Sequence, residues 1–408
     1  MSDIKKTSVF GNSLVWFGAA VSIAEILTGT LFAPLGFGKA LAAIVLGHAL
    51  GCALLYFAGL IGAEHGKSAM ESVKYSYGEH GGKLFAAFNV LQLVGWTAVM
   101  IASGAQAAQS VHAFGCGLWP WAVIIGGLII VWLLAGIGVL QKINVAVMAL
   151  LFVLSLLLSK LVFADGGAAV EESPLSFGQA LELSIAMPVS WLPLFADYTC
   201  NASRPRLTCA TSTVVYFLVS CWMYVIGMAA AIYAGESDIA VIMDKAGFGL
   251  SAIIIVILST VTTTFLDVYS TGVSMASITA KVGERLSAIV ACVLGVLLAI
   301  LFNTDRFEGF LYWIGSIFVP MATVHIMDML VLKSRDNGQA RFWRNLILWL
   351  LGFVVYRVFL RLDLPIGSTI PDVIITAVLC AIVGAFFRGG CCDSGGQPSV
   401  SIKNVNEI

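Results

Sequence analysis

Residues 17–38 read FGAAVSIAEILTGTLFAPLGFG, and residues 181–205 read LELSIAMPVSWLPLFADYTCNASRP. Both are apolar enough to enter a bilayer, yet neither reads as an unbroken rod. In the first, Gly18, Ala19 and Ala20 fall near mid-span, Thr28-Gly29 follows, and Pro34 stands near the end. In the second, Pro188 and Pro193 interrupt the span within about one and a half turns. Proline removes a backbone donor and frees carbonyls, which membrane depth tolerates only against protein, water or a ligand. Interruptions at corresponding positions of two halves are the pattern of an inverted-repeat transporter, with spans 1 to 5 matching spans 6 to 10 and two more behind. Glycine and proline are also common in plain transmembrane helices, so two ordinary kinks explain these residues equally well on composition alone.

The rest of the chain supports a bilayer as its solvent. Of 408 residues, 59% are apolar and 11% charged, with a mean hydropathy of +0.96, against about 25% charged in a soluble domain. Residues 40–63 carry no charge, and a charge-free run from Leu84 to Gln141 is long enough for two crossings. Hydropathy and punctuation predict an all-α polytopic membrane protein with twelve spans, near 12–35, 39–62, 84–111, 118–140, 143–163, 177–200, 208–234, 248–280, 286–303, 307–330, 342–361 and 366–387. The first repeat is then 12–163, the second 177–330, and the extra pair 342–387, between tails 1–11 and 388–408. With loops assigned alternately, 16 of the 22 basic residues fall on the N-terminal side, among them Lys5, Lys142, Arg204, Arg206, Arg335, Arg341, Arg344 and Lys403. The other side has Lys39, Lys160, Lys245, Arg306, Arg357 and Arg361. That bias predicts both termini in the cytoplasm of a cell whose plasma (inner) membrane holds the protein.

The nine cysteines lie mostly inside apolar segments, without CxxC pairs or histidine neighbours, so neither a disulfide framework nor a zinc site is expected. Cys391 and Cys392, in the tail RGGCCDSGG, read as free thiols. No basic n-region with a cleavage site opens the chain, and no cleaved signal is expected. A membrane enzyme would need a converging catalytic set such as HExxH, and a channel would need pore loops or charged rings; neither is present. No cofactor or nucleic-acid partner is implied.

Ionisable groups at membrane depth are costly and face a cavity or a partner. Glu25 and Asp267 are the deepest by position. Glu25 reads equally as a pathway group or a structural one, Asp267 and His48 more as internal hydrogen-bond groups. Asp197 precedes Arg204 and Arg206, and reads as a gating ion pair or as a plain end-of-helix acid. Span 8 carries STVTTTFLDVYSTGVSMAS (259–277), where Ser259, Thr262 and Thr263 share a face at i, i+3 and i+4. Such hydroxyls opposite freed carbonyls are hard oxygen ligands for a monovalent cation; transmembrane hydroxyls also bond their own helix. In span 3, NVLQLVGWTAVMIASG (89–104), Trp96 lies mid-span instead of in the headgroup belt. Its ring can stack on a planar ligand, with Gln92 one turn earlier presenting an amide, or the pair can serve helix packing.

At these residues the sequence resembles the nucleobase:cation symporter-1 family, the purine and cytosine permeases, over essentially its whole length. The similar elements are VGW (94–96), WLPLFADYTCNASRP (191–205) and TTTFLDVYSTG (262–272). Within the family it is most similar to the CytX-type hydroxymethylpyrimidine transporters. The resemblance implies a LeuT-type fold with a five-plus-five inverted repeat and alternating access. It also implies a small heteroaromatic substrate between spans 1, 3, 6 and 8, and often a sodium ion between spans 1 and 8. Carried onto this chain, the substrate residues are Ser22, Glu25, Gln92, Trp96, Met187, Pro188, Ser190, Trp191 and Ser259. The ion ligands are the carbonyls of Gly18 and Val21 with Ser259, Thr262 and Thr263. Departures from the family pattern favour a differently substituted pyrimidine over cytosine: Leu93 stands directly before VGW where cytosine permeases have glutamine, and Ser259 stands where they have asparagine. Pro188 falls about where the family offers an aromatic, which leaves the second face of the stack to Trp191 or another group. Coupling to protons through Glu25 or Asp267 is the alternative to sodium.

Overall fold

The computed structural model describes residues 6–135, 175–234, 250–301, 307–333 and 339–389, with scattered positions between 149 and 160. Most of the fifth expected span, Lys5, Lys142, Lys245, Arg306, Arg335, Lys403 and the tail cysteines Cys391 and Cys392 lie outside the described residues.

The described elements are helical: α1 (Val9–Ala20), α2 (Ile23–Thr30), α3 (Phe37–His65), α4 (Ala69–Val111), α5 (Trp119–Ala135), α6 (Phe177–Trp191), α7 (Phe195–Thr199), α8 (Pro205–Ala229), α9 (Leu250–Ile278), α10 (Glu284–Leu301), α11 (Phe307–Ile326), α12 (Gln339–Leu362) and α13 (Thr369–Gly389). Helices α1 and α2 are the two halves of span 1, and α6 and α7 those of span 6. Six described helices are long and apolar enough to cross a membrane, and the pair α1 and α2, bent by 46° at its break, makes a seventh.

Sequence and structure part at span 3. Hydropathy starts it near residue 84, whereas helix begins at Ala69 and turns sharply at Gly78, whose φ of +66° suits glycine alone. Glu71, Lys74, Glu79 and Lys83 make this first stretch polar, and they pair with one another at 2.7–3.3 Å. Hydropathy reports the solvent a helix sits in, so it misses a helical extension that lies in water.

The two broken spans run antiparallel, as inverted repeats require. The Thr7 N–H donates to the Asn201 carbonyl (2.9 Å) and the Ser203 N–H to the Thr7 carbonyl (3.0 Å), which joins the start of span 1 to the end of span 6. At the other end, α2 presses on α8 where Gly29 and Gly227 carry no Cβ; one at either position would collide with the carbonyl of Tyr224 or Ile26. Small residues let membrane helices approach this closely. The outer helices show the opposite face: Leu286, Val290, Val293, Leu294, Leu297 and Leu301 of α10 are exposed at helical spacing, as are Ile374, Val378 and Ile382 of α13. Exposed apolar stripes of this kind face lipid.

Several ionisable residues near span ends prove structural. The Glu182 carboxylate accepts from the backbone N–H of Ser368 (2.8 Å) and Thr369 (2.9 Å) and from the hydroxyls of Tyr356 and Thr369. Asp328 is buried between Arg341 and Arg344, and His325 meets the Ser76 hydroxyl at 2.8 Å. Asp197 is no gating ion pair: its Oδ1 accepts from the Ala69 N–H at 2.9 Å, while Arg206 pairs with Glu64 at 2.6 Å.

Candidate functional site

The break in span 1 falls at Val21 (φ −82°, ψ 77°) and Ser22 (φ −132°, ψ 156°). Ser22 starts α2 as its N-cap, its Oγ accepting from the Glu25 N–H at 3.3 Å. The pattern Ser22-Ile-Ala-Glu25 is the sequence signature of a helix start, and it locates the break more closely than the small residues before it. Non-helical backbone at Val21 and Ser22 leaves carbonyls without a helical partner, and α9 meets them. Ser259 Oγ donates to the Val21 carbonyl at 2.9 Å and Thr263 Oγ1 to the Gly18 carbonyl at 3.3 Å. Thr262 does not join them: its hydroxyl donates to the Leu258 and Ser259 carbonyls of its own helix. Of the hydroxyls carried over from the family, that of Thr262 is thus engaged by its own helix, whose carbonyls compete for it.

Span 6 breaks between α6 and α7, where Pro193 supplies no N–H. The freed Ser190 carbonyl accepts from Gln92 Nε2 (2.9 Å) and the Pro193 carbonyl from Asn89 Nδ2 (3.1 Å). Asn89 also donates to Ser274 Oγ (2.8 Å), and its Oδ1 accepts from Gln92 Nε2 (2.9 Å). Gln92 is thus a clamp on span 6 and lies outside the lining of the cavity described next. Asn89 escapes sequence reading because a lone amide in a helix does not announce its partner.

Between the two breaks lies a small, partly enclosed cavity with room for about one water molecule, so a ring-sized ligand enters only as its walls part. Ser22, Ala24 and Glu25 from span 1, Trp96 and Met100 from α4, Met187, Ser190 and Trp191 from α6, and Thr263 and Asp267 from α9 line it. Six expected substrate residues, Ser22, Glu25, Trp96, Met187, Ser190 and Trp191, are brought together on its walls. Gln92, Pro188 and Ser259 are not in that lining: Pro188 packs against Gly51 of α3, and Ser259 is turned to Val21. Trp96 stands edge-on to Phe310 (centroids 5.6 Å apart) and Trp191 edge-on to Trp16 (5.7 Å), so each indole is held by its neighbours. Met100 was not among the expected residues, although it lies one turn from Trp96 on the same face.

Glu25 is 1% exposed. Its Oε1 accepts from Tyr216 Oη and its Oε2 from Ser220 Oγ, both at 2.8 Å. Ser220 also meets His48 Nε2 (2.7 Å), and His48 Nδ1 meets Ser184 Oγ (2.7 Å). A continuous hydrogen-bonded line therefore runs from the cavity wall through spans 7 and 2 to span 6. No group of three or more His, Cys, Asp or Glu among the described residues could hold a metal ion. The oxygens gathered at the span-1 break are neutral, and suit a monovalent cation held by dipoles better than a divalent one.

Paired breaks in antiparallel repeats around a small aromatic-walled cavity define a secondary transporter of the inverted-repeat class, with its site at the repeat interface. Residues 5–346 match the family model described as permease for cytosine/purines, uracil, thiamine, allantoin, and the chain belongs to that family. The cytosine permease of Escherichia coli (strain K12) is 26% identical over 397 residues, covering 92% of this chain and 89% of the relative. The vitamin B6 transporter TPN1 of Saccharomyces cerevisiae is 22% identical over 354 residues, covering 78% and 60%. Among solved structures, the nucleobase-cation-symport-1 family transporter MHP1, in a closed conformation with bromovinylhydantoin bound, superposes with a TM-score of 0.76 at 18% identity, covering 94% of each chain. A Na+-coupled sialic acid symporter shares the fold more distantly, with a TM-score of 0.70 at 13% identity over 97% of this chain and 92% of that one. The protein is a membrane transporter and not an enzyme, as its relatives are permeases.

Proposed function

We propose that the protein imports a small pyrimidine, with hydroxymethylpyrimidine the best fit, by sodium symport with alternating access across the plasma membrane, both termini being cytoplasmic. The observation that carries this reading is the meeting of Ser259 and Thr263 with the Val21 and Gly18 carbonyls, beside a cavity walled by Trp96 and Trp191. Hydroxyl hydrogens rotate away readily, and the four neutral oxygens of these two contacts then become available as ligands for a sodium ion. Thr263 also lines the substrate cavity, so ion and substrate share a wall and each steadies the other's site. The coupling must be reciprocal, sodium tightening substrate by the factor with which substrate tightens sodium. Proteoliposomes holding the purified protein test it with labelled hydroxymethylpyrimidine. Accumulation should saturate and require an inward sodium gradient. Equal accumulation in choline refutes sodium coupling, and no accumulation of any pyrimidine refutes the substrate class.

A second reading, a proton-coupled cytosine or nucleobase permease, has its own support in the line from Glu25 through Ser220 to His48. Such a chain of acid, hydroxyl and imidazole can hold a proton at either end. Sodium-free uptake driven by an inward proton gradient, and lost in Glu25→Gln, would replace the first reading by this one.

A further inference from the structure

Five acids among the described residues are almost fully buried: Glu25, Glu182, Asp267, Asp328 and Asp372. Four have at least one donor on the carboxylate. Glu182 collects four donors, Asp328 two arginines and Glu25 two hydroxyls, while Asp372 accepts from the Thr376 hydroxyl on one oxygen only. Asp267 is 3% exposed, and among the described residues its carboxyl has no hydrogen bond and no ion pair; only its backbone carbonyl is engaged, by Thr271. It nevertheless lines the cavity, one turn beyond Thr263 on the same face of α9.

A buried carboxyl is retained in an apolar setting when something supplies its counter-charge or its hydrogen bonds. Among the described residues the protein does neither, while Trp96 and Trp191 line the same cavity. The missing partner is therefore a planar molecule with N–H groups at its edge. Resting on the reading above, that the cavity takes a heteroaromatic ring, we propose that Asp267 selects the substrate by pairing its two oxygens with the exocyclic amino group and the adjacent ring nitrogen of an amino-substituted six-membered ring. The amino group donates one hydrogen bond, and a single proton shared between carboxyl and ring nitrogen makes the second, so the pair is neutral as a whole whichever side holds that proton. An oxo ring can meet the protonated carboxyl through its carbonyl and ring N–H, but it has no basic nitrogen to take up the shared proton and so forms no charge-assisted pair, the stronger of the two. Sites built around such an edge favour ligands that complete it over analogues that lack it.

The test uses the full-length protein in lipid nanodiscs and two matched pairs of probes: cytosine with uracil, and hydroxymethylpyrimidine with 5-hydroxymethyluracil. The unmodified protein should bind the amino member of each pair at least tenfold more tightly. In Asp267→Asn the side-chain amide can donate or accept and so fits either edge; the preference should fall at least tenfold, with oxo binding unchanged or improved. Should that variant fail to fold, Asp267→Ser is read in the same way, and if neither folds the preference of the unmodified protein decides. A preference that survives in Asp267→Asn, or equal weakening of both members, overturns the proposal. Equal binding of both by the unmodified protein overturns it too, while leaving the transport reading intact. Binding of neither member by the unmodified protein overturns both.

Discussion

The breaks in spans 1 and 6 are related by the repeat, yet their freed carbonyls meet different chemistry. In span 6, Ser190 and Pro193 are held by the amides of Gln92 and Asn89, which are bonded to each other, Asn89 also to Ser274. In span 1, among the described residues, the Gly18 and Val21 carbonyls meet the hydroxyls of Thr263 and Ser259. An amide N–H has a fixed direction and no lone pair to offer in exchange, whereas a hydroxyl rotates and turns from donor to ligand. One break is a clamp; the other, on the sodium-symport reading proposed above, is a contact that an ion can replace. A repeat thus makes two equivalent openings in the backbone, and the side chains facing them decide which one carries a reversible step.

The largest expected effect lies where both breaks meet, at the indole of Trp96. Trp96→Ala should weaken substrate binding by about 2 to 4 kcal/mol, roughly thirtyfold or more, through lost apolar area and stacking, and Trp96→Phe should keep part of the affinity. Binding titrations on the purified protein measure this. An alanine variant that binds as the native protein does would move the site away from the two breaks altogether.

The clamp is tested next, through stability. Asn89→Leu leaves the Pro193 carbonyl and Gln92 short of partners, and an orphaned buried polar group costs about 1 to 3 kcal/mol. The apparent melting temperature in detergent should fall clearly, while any sodium enhancement of binding persists in the protein that remains folded. Unchanged stability would mean that span 6 is no more fixed than span 1.

Ser259→Ala and Thr263→Ala probe the other break, with the reverse pattern. Each removes one interhelical hydrogen bond of a kind worth on average about 0.6 kcal/mol in membranes, so stability should change little. Sodium should then cease to tighten substrate binding, while the affinity measured in choline stays near that of the native protein. Loss of stability comparable to that of Asn89→Leu would make the hydroxyls structural and remove the contrast between the breaks.

Much of this was legible in the chain, for reasons that residues make plain. Pro193 marks backbone that leaves the helix and Trp96 at mid-span marks an aromatic wall, because each signal is local, whereas Pro188 and the small run 18–20 stay helical inside α6 and α1, and the breaks fall just beyond them. Directions across helices were not legible. Helical spacing puts Ser259, Thr262 and Thr263 on one face, but which hydroxyl reaches span 1 depends on how α9 is rotated against α1. Gln92 looked like a substrate amide, and only the packed structure turns it to Ser190. Asp267 read as an internal acceptor, since the sequence does not reveal that its donor is absent.

The smallest expected effect is at Thr262, and it sharpens the comparison most finely. Its hydroxyl shares a face with Ser259 and Thr263, yet donates at 2.9 Å to Leu258 and 3.0 Å to Ser259 within its own helix. Reaching the span-1 carbonyls would mean breaking these bonds and changing its rotamer. Thr262→Ala should therefore alter sodium enhancement by less than about twofold, and stability by no more than about 0.5 kcal/mol, as for substitutions that remove no essential contact. Paired titrations in sodium and choline, run beside Thr263→Ala, give the measurement. If Thr262→Ala abolished the enhancement as Thr263→Ala is expected to, its hydroxyl would have to swing inward when the ion binds. The span-1 break would then close around sodium with three hydroxyls, a rearrangement for which the amide clamp on span 6 has no counterpart.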